Sequence, residues 1–134
     1  MLDPVTILQA DDGSYPWLGG IQLDSEEYNH DWVLASAATG AKIIGPWHGN
    51  GTGILDPEYV PFTTRDVVER SHALGMEVHP WTVDDEHTIS KLIDDGCDSI
   101  ISNYPEKVIS VGKHRGLEVG RERRRSKSHC LVNA

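Results

Sequence analysis

Three side chains that could contact a substrate stand near the ends of two predicted strands. Trp81 and His79 are two residues apart in the extended segment EVHPWTV, so strand alternation puts them on one face. His48 directly follows another strand candidate, KIIGPW. A tryptophan can form a pocket wall or hold a cationic headgroup over its ring, and a histidine can assist at a phosphate. Each also has an ordinary interpretation as a core residue, which for His79 is the favoured one.

The loop that begins at His48, HGNGTG, has two interpretations. Its three glycines and asparagine would let successive backbone N–H groups converge on an anion. The same residues are equally typical of plain turns, which we favour because neither a P-loop nor a dinucleotide-binding motif is present.

Histidine is frequent enough to raise the question of a metal site. The sequence contains no HExxH motif and no two histidine pairs at zinc-like spacing. The acidic run 84–86 falls where a helix is predicted to begin, so its carboxylates are expected to cap that helix. We therefore predict no metal site in this chain, although it holds seven histidines: 30, 48, 72, 79, 87, 114 and 129.

The stretch from Gly75 to Pro105 must position Trp81 and His79. Its hydrophobic pattern predicts a strand–helix–strand unit with parallel strands and a right-handed crossover. In such units ligands bind at the carboxyl ends of the strands. The predicted elements are a strand at 77–83, an N-cap at Asp84 or Asp85, a helix at 86–95 closed by Gly96, and a strand at 97–103.

The rest of the chain continues the alternation of strand and helix. This alternation predicts an α/β fold with a parallel sheet. Val67, Val68 and Leu74 are expected to face inward from one of the helices. The further elements are strands at 5–9, 17–24 and 42–47, and helices at 31–39, capped by Asn29 or Asp31, and at 64–74, capped by Thr63 or Thr64.

Charge divides the chain into two parts. Residues 1–112 carry 19 acidic and 5 basic side chains, whereas residues 113–134 carry 2 acidic and 7 basic ones. We expect residues 1–112 to form the folded body, which is too acidic to be a general nucleic-acid binder, and residues 113–134 to be a disordered basic tail. Cys97 and Cys130 are interpreted as separate thiols, and no apolar run approaches membrane-spanning length, so the compartment stays open.

The segment WTVDDEHTISKLIDDGCDSIISNYP resembles the C-terminal signature of glycerophosphodiester phosphodiesterases, in which WTVN, a helix and GVDGIITDYP close a (β/α)8 barrel. TILQA and GIQLD resemble the iiqSF and GIDLD segments of fungal-type members. The chain departs from the signature at Asp84, where the family has asparagine, and at Asn103, where it has aspartate.

The resemblance implies that this chain is the C-terminal half of a TIM-type barrel, because a whole (β/α)8 barrel needs at least about 200 residues. It implies hydrolysis of a glycerophosphodiester to glycerol 3-phosphate and an alcohol, with Mg²⁺ or Ca²⁺ in the complete domain. The family's catalytic and metal-binding motifs lie in the N-terminal half, and HRG at 114–116 is interpreted as coincidence. No catalytic residue is carried over, and the substrate-side candidates are Trp81, His79 and His48.

Two other functions remain open from the sequence. The chain could be a non-catalytic half-barrel that binds a partner or an anionic ligand, or a fragment of a sphingomyelinase D-like lipid hydrolase. A half-barrel would leave one sheet face and two strand edges without partners. We therefore expect self-association or pairing with an N-terminal half-barrel.

Overall fold

The computed structural model describes residues 17–18, 21–23, 25–118 and 131–133, with side chains described at 21–23 and 25–118. The strand predicted at 5–9 and most of the predicted basic tail, residues 119–130, lie outside the described residues.

Strands and helices alternate from the third strand onward. The strands are β1 (Trp17–Leu18), β2 (Ile21–Gln22), β3 (Ile43–Ile44), β4 (Glu77–Val78), β5 (Ser99–Ile101) and β6 (Leu131–Asn133). The helices are α1 (Trp32–Ala38), α2 (Arg65–Ala73), α3 (Glu86–Asp94) and α4 (Pro105–His114), and a 3₁₀ turn covers Glu26–Tyr28. In the described part of the chain, no helix is long and apolar enough to span a membrane.

Parallel strands form the centre of the fold. β3 pairs with β4, and the pairing resumes beyond both strands at a parallel bridge between Trp47 and Trp81. Backbone hydrogen bonds from Asp98 to Val78 and from Ile101 to Pro80, each 3.0 Å, join β4 to β5. β5 in turn pairs in parallel with β6. The prediction of an α/β fold with parallel strands is confirmed.

Short polar side chains cap the first three α-helices, α1, α2 and α3, as the sequence predicted. The carboxylate of Asp31 accepts the N–H of Val33 at 3.0 Å, and Thr64 and Asp85 cap α2 and α3 in the same way. Each cap satisfies backbone donors that a helix cannot pair internally. Of the alternatives left open, Asp31, Thr64 and Asp85 are the residues that cap.

Helices cover one face of the parallel strands. Ile44, Val78 and Ile100 point to that face and are completely buried. The helices contribute buried Val33, Val68, Ile89, Leu92 and Val108. The prediction that Leu74 faces inward is wrong. Leu74 is 43% exposed because it follows the last turn of α2. Met76, which is 2% exposed, fills the adjacent core position.

The opposite face of the strands is more open. Ile43 and Ile101 are partly exposed there, and Glu77 is exposed. Since these residues alternate with fully buried neighbours, the strands have one covered face and one face that helices α1 to α4 leave accessible.

The structure differs from the sequence prediction at both ends of the chain. Residues 17–18 and 21–22 pair as two antiparallel strands, whereas one strand was expected over 17–24. A glycine pair permits a reversal as readily as it permits entry into a strand. At the other end, α4 continues to His114, and residues 131–133 pair with β5 where a disordered tail was expected.

Candidate functional site

Asp84 joins the carboxyl ends of two neighbouring parallel strands. Its Oδ1 accepts the hydroxyl of Ser102 at 3.1 Å and the backbone N–H of Asn103 at 2.9 Å. Its Oδ2 accepts the side-chain amide of Asn103 at 2.9 Å. The backbone carbonyl of Asp84 accepts the ammonium of Lys107 at 3.2 Å. We call these four residues the Asp84 corner.

The two departures from the family signature are therefore partners in one contact. The family's asparagine and aspartate are replaced by Asp84 and Asn103, which preserves one amide and one carboxylate while exchanging their positions. Burial opposes ionisation of Asp84, but hydrogen bonds from Asn103 and Ser102 outweigh it, so the pKa of this carboxyl is lowered. The exchange retains a charge-assisted contact between the two loops.

Trp81 lies beside the Asp84 corner and is held by a specific hydrogen bond. Its indole Nε1 donates to the backbone carbonyl of Gly45 on the neighbouring strand at 2.8 Å. The parallel bridge to Trp47 places both tryptophan side chains on the same, open face of the strands. Both are partly exposed. Trp47 was not predicted as a site residue, because the register between strands cannot be read from either segment alone.

His79 lies on the same face as Trp81 but deeper. It is 8% exposed, and its Nε2 is 3.0 Å from Oε1 of Glu77, whose side chain is 55% exposed. The pair places one carboxylate on the open face, with the imidazole packed behind it.

His48 is buried, with 4% of its surface exposed. Its Nδ1 is 3.0 Å from the hydroxyl of Tyr59, and its ring also hydrogen-bonds the backbone of Thr82. Burial lowers the pKa of His48, with Asp85 opposing this shift, so the ring is neutral at pH 7. Burial also raises the pKa of Tyr59 to about 12. Because its nitrogens are engaged, His48 is suited to holding the loop against β4 rather than to binding a ligand directly.

Backbone N–H groups in and just after the glycine-rich loop are hydrogen-bonded to side chains of the protein. Asp56 accepts the N–H of Thr52 at 3.2 Å, and the hydroxyl of Thr88 accepts the N–H of Ile54 at 2.8 Å. Gly53 lies so close to α3 that a Cβ there would collide with the carboxylate of Asp85 and the hydroxyl of Thr88. These contacts favour the turn interpretation over an anion-binding nest.

A shallow cleft of about 190 Å³ lies between this loop and the start of α3, lined by Thr52, Gly53, Leu55, Asp56, Asp85 and His87. Within the described ranges, no group of three or more His, Cys, Asp or Glu side chains could hold a metal ion. The donor set of the described residues therefore does not fit a divalent metal centre.

Comparison with known proteins identifies the family. The sequence model of the glycerophosphoryl diester phosphodiesterase family matches residues 5–107. The chain belongs to this family. It shares 37% identity over 43 residues with YhdW of Bacillus subtilis (strain 168), a protein named as a glycerophosphodiester phosphodiesterase; the match covers 32% of this chain and 18% of YhdW.

A solved structure agrees with the family assignment. A crystal structure from Silicibacter pomeroyi DSS-3, described as a glycerophosphoryl diester phosphodiesterase, superposes with a TM-score of 0.52 at 27% identity and covers 64% of this chain and 25% of that one. This likeness and the family imply a TIM-barrel-like α/β fold. The chain spans a quarter or less of the length of these relatives.

Proposed function

We propose that the chain is the C-terminal, substrate-side portion of a glycerophosphodiester phosphodiesterase domain and that it does not hydrolyse a substrate alone. The observation that supports this most is the family match over residues 5–107, whose end contains the Asp84 corner. Complete domains of the family depend on a divalent metal, whereas the described residues of this chain offer no three-ligand cluster.

In the complete domain, this portion forms one side of the substrate pocket, a wall at the carboxyl edge of the sheet. Trp81 presents an indole fixed by Gly45, and the Asp84 corner holds the loops after β4 and β5 together. In parallel α/β folds this edge is where ligands bind. The wall orients the alcohol side of a glycerophosphodiester, while a further segment supplies the acid, the base and the metal ligands.

The exposed side chains on the open face of the strands favour the interpretation that the chain is a half-barrel and needs a partner. Ile43, Ile101 and Trp47 are partly exposed on that face, although parallel strands usually have both faces covered. The partner is a second copy of this chain or an N-terminal half-barrel, either of which would bury these side chains.

A graft tests the proposal. Residues 5–117 of this chain would replace the matching part of the Silicibacter pomeroyi protein, and glycerol 3-phosphate release from glycerophosphodiesters would be measured with Mg²⁺ or Ca²⁺. The matched controls are the intact relative and the relative truncated at the junction. We expect the graft to hydrolyse and the truncated protein not to. A soluble, folded graft without hydrolysis would contradict the proposal.

A further inference from the structure

The strand β5 has a neighbouring strand on each side. On one side, the backbone N–H groups of Asp98 and Ile101 donate to residues in and just after β4, each at 3.0 Å. On the other side, Ser99–Ile101 pairs in parallel with β6, Leu131–Asn133. β6 also contacts α4, so that β5, α4 and β6 form one strand–helix–strand unit.

β6 lies outside the part of the chain that the family model matches. That match ends at residue 107, and β6 begins at Leu131. β5, in contrast, lies in the segment that resembles the family's GVDGIITDYP, which closes the (β/α)8 barrel. A closed barrel has no free strand edge, so its last strand pairs with its first. β6 therefore covers the edge of β5 at which a complete barrel would pair a strand from its beginning.

The length and the tether of β6 suit it to covering this edge reversibly. β6 has three residues, whereas strands usually have about 5–6, and parallel pairs are slightly less stable than antiparallel ones. Residues 115–130 tether β6 to α4, which gives it a high effective concentration at the edge. A longer strand would form more backbone hydrogen bonds with β5 and could displace β6.

Charge favours the docking of β6 on the chain's own body. Residues 113–134 carry 7 basic and 2 acidic side chains, whereas residues 1–112 carry 5 basic and 19 acidic ones. Opposite net charges on the two parts draw them together at moderate ionic strength. A covered edge is also protected from pairing with other chains, to which an exposed strand edge is prone.

We propose that β6 is an exchangeable strand, which covers the edge of β5 in the isolated chain and leaves when a strand from the rest of the domain pairs there. The inference rests on the proposed function for the place of this chain in the barrel. The interaction surface is the backbone edge of Ser99–Ile101. The partner is an apolar strand that runs parallel to β5, as strands buried on both faces do. Pairing with β6 and closure of the barrel exclude each other, because one edge accepts one neighbour.

Hydrogen exchange of the full chain, measured residue by residue by NMR, tests whether β6 covers the edge. Successive residues of a strand direct their backbone groups to opposite sides, so two adjacent prolines remove a donor that faces β5. Leu131→Pro combined with Val132→Pro should therefore release β6. The β5 N–H group that faces β6, on Ser99 or Ile100, should lose its protection, while the β5 groups that donate to the β4 side keep theirs.

The matched control places two prolines in the connecting residues. Ser126→Pro combined with Ser128→Pro should leave the exchange of β5 unchanged. Unchanged exchange at both Ser99 and Ile100 in the β6 variant would overturn the inference, because β6 would then not cover the edge. Loss of the folded state in that variant, seen by circular dichroism, would overturn it as well, since a strand that the fold requires cannot be exchanged.

An extended graft tests whether the rest of the domain displaces β6. The graft into the Silicibacter pomeroyi protein is made with residues 5–134, so that β6 competes with the strands of that protein. Deuterium uptake is then measured by mass spectrometry in the graft and in the isolated chain. We expect the amides of Leu131–Asn133 to be protected in the isolated chain and to lose this protection in the graft, while Ser99–Ile101 stays protected in both. Protection of Leu131–Asn133 in a folded graft would refute the exchange.

The extended graft also separates this inference from the proposed function. Release of glycerol 3-phosphate by a graft in which β6 stays protected would retain the proposed function and refute strand exchange. A folded graft that releases β6 but hydrolyses no glycerophosphodiester would retain strand exchange and refute the proposed function.

Discussion

Exchanging the residues of the Asp84 corner tests whether the two departures from the family signature compensate each other. Asp84 accepts three hydrogen bonds, at 3.1, 2.9 and 2.9 Å, from Ser102 and Asn103. Asp84→Asn removes the charge that strengthens these bonds and requires the Asn103 amide to turn over so that its oxygen can accept. Asn103→Asp instead brings two carboxylates together. Either single change weakens the contact, the first through loss of charge assistance and the second through repulsion.

The expected loss of folding free energy depends on how many of these hydrogen bonds each variant weakens and how exposed they are to solvent. A hydrogen bond to a charged group contributes about 1.5–3 kcal/mol when buried, but Asn103 is exposed and solvent reduces its share. We expect each single variant to lower the free energy of unfolding by about 1–2 kcal/mol. The double exchange restores a carboxylate–amide contact in the family's own order and should lie within about 0.5 kcal/mol of the original chain. The coupling energy between positions 84 and 103 is then about 1.5 kcal/mol or more.

Urea unfolding of the four proteins, followed by circular dichroism, measures this cycle. Glu106→Gln is the matched control, because Glu106 is an exposed acid in the first turn of α4 and loses one charge without disturbing the corner. If the double variant is destabilised by the sum of the two single losses, Asp84 and Asn103 do not compensate and the reasoning fails.

Three further predictions concern packing, pH and association. Gly53→Ala should destabilise the chain by about 2 kcal/mol or more in thermal unfolding, because its Cβ would meet Asp85 and Thr88 at a positive φ of 156°. Gly40→Ala, at φ 86° with open space around it, should cost only about 1 kcal/mol, and equal losses would contradict the clash. The folded pKa of His48 lies below the usual 6.5, so the unfolded chain takes up its proton first and stability should fall as pH drops below 6.5. His48→Gln should reduce that fall in urea titrations at about pH 7.5 and 5.5; an unchanged slope would show that His48 is not its source. Light scattering at tens of micromolar should find dimers or larger species, and a monodisperse monomer would argue against an uncovered sheet face.

The unit from β4 to β5 could be predicted from the sequence because its signals are local. The spacing of Ile89 and Leu92 shows the buried side of α3, and Gly96, with a positive φ of 94°, follows where the helix ends. These features involve residues a few positions apart, so helix periodicity and capping determine them.

The features that the sequence could not supply depend on contacts between distant segments. Asp84 and Asp85 are chemically equal as N-caps, and only the fold places Asn103, 19 residues on, against the first of them. The pairing of Trp47 with Trp81 depends on strand register, which neither segment encodes by itself.

Assay of the isolated chain tests the central claim most directly. Glycerol 3-phosphate release from glycerophosphocholine would be measured with Mg²⁺ or Ca²⁺, using the purified chain and its Trp81→Leu and Asp84→Ala variants in parallel. We predict no release above the buffer blank for any of the three, since the proposal assigns the acid, the base and the metal ligands to another segment. Metal-dependent release by the original chain that either substitution abolishes would contradict the account, because a contaminating enzyme would be unaffected by both.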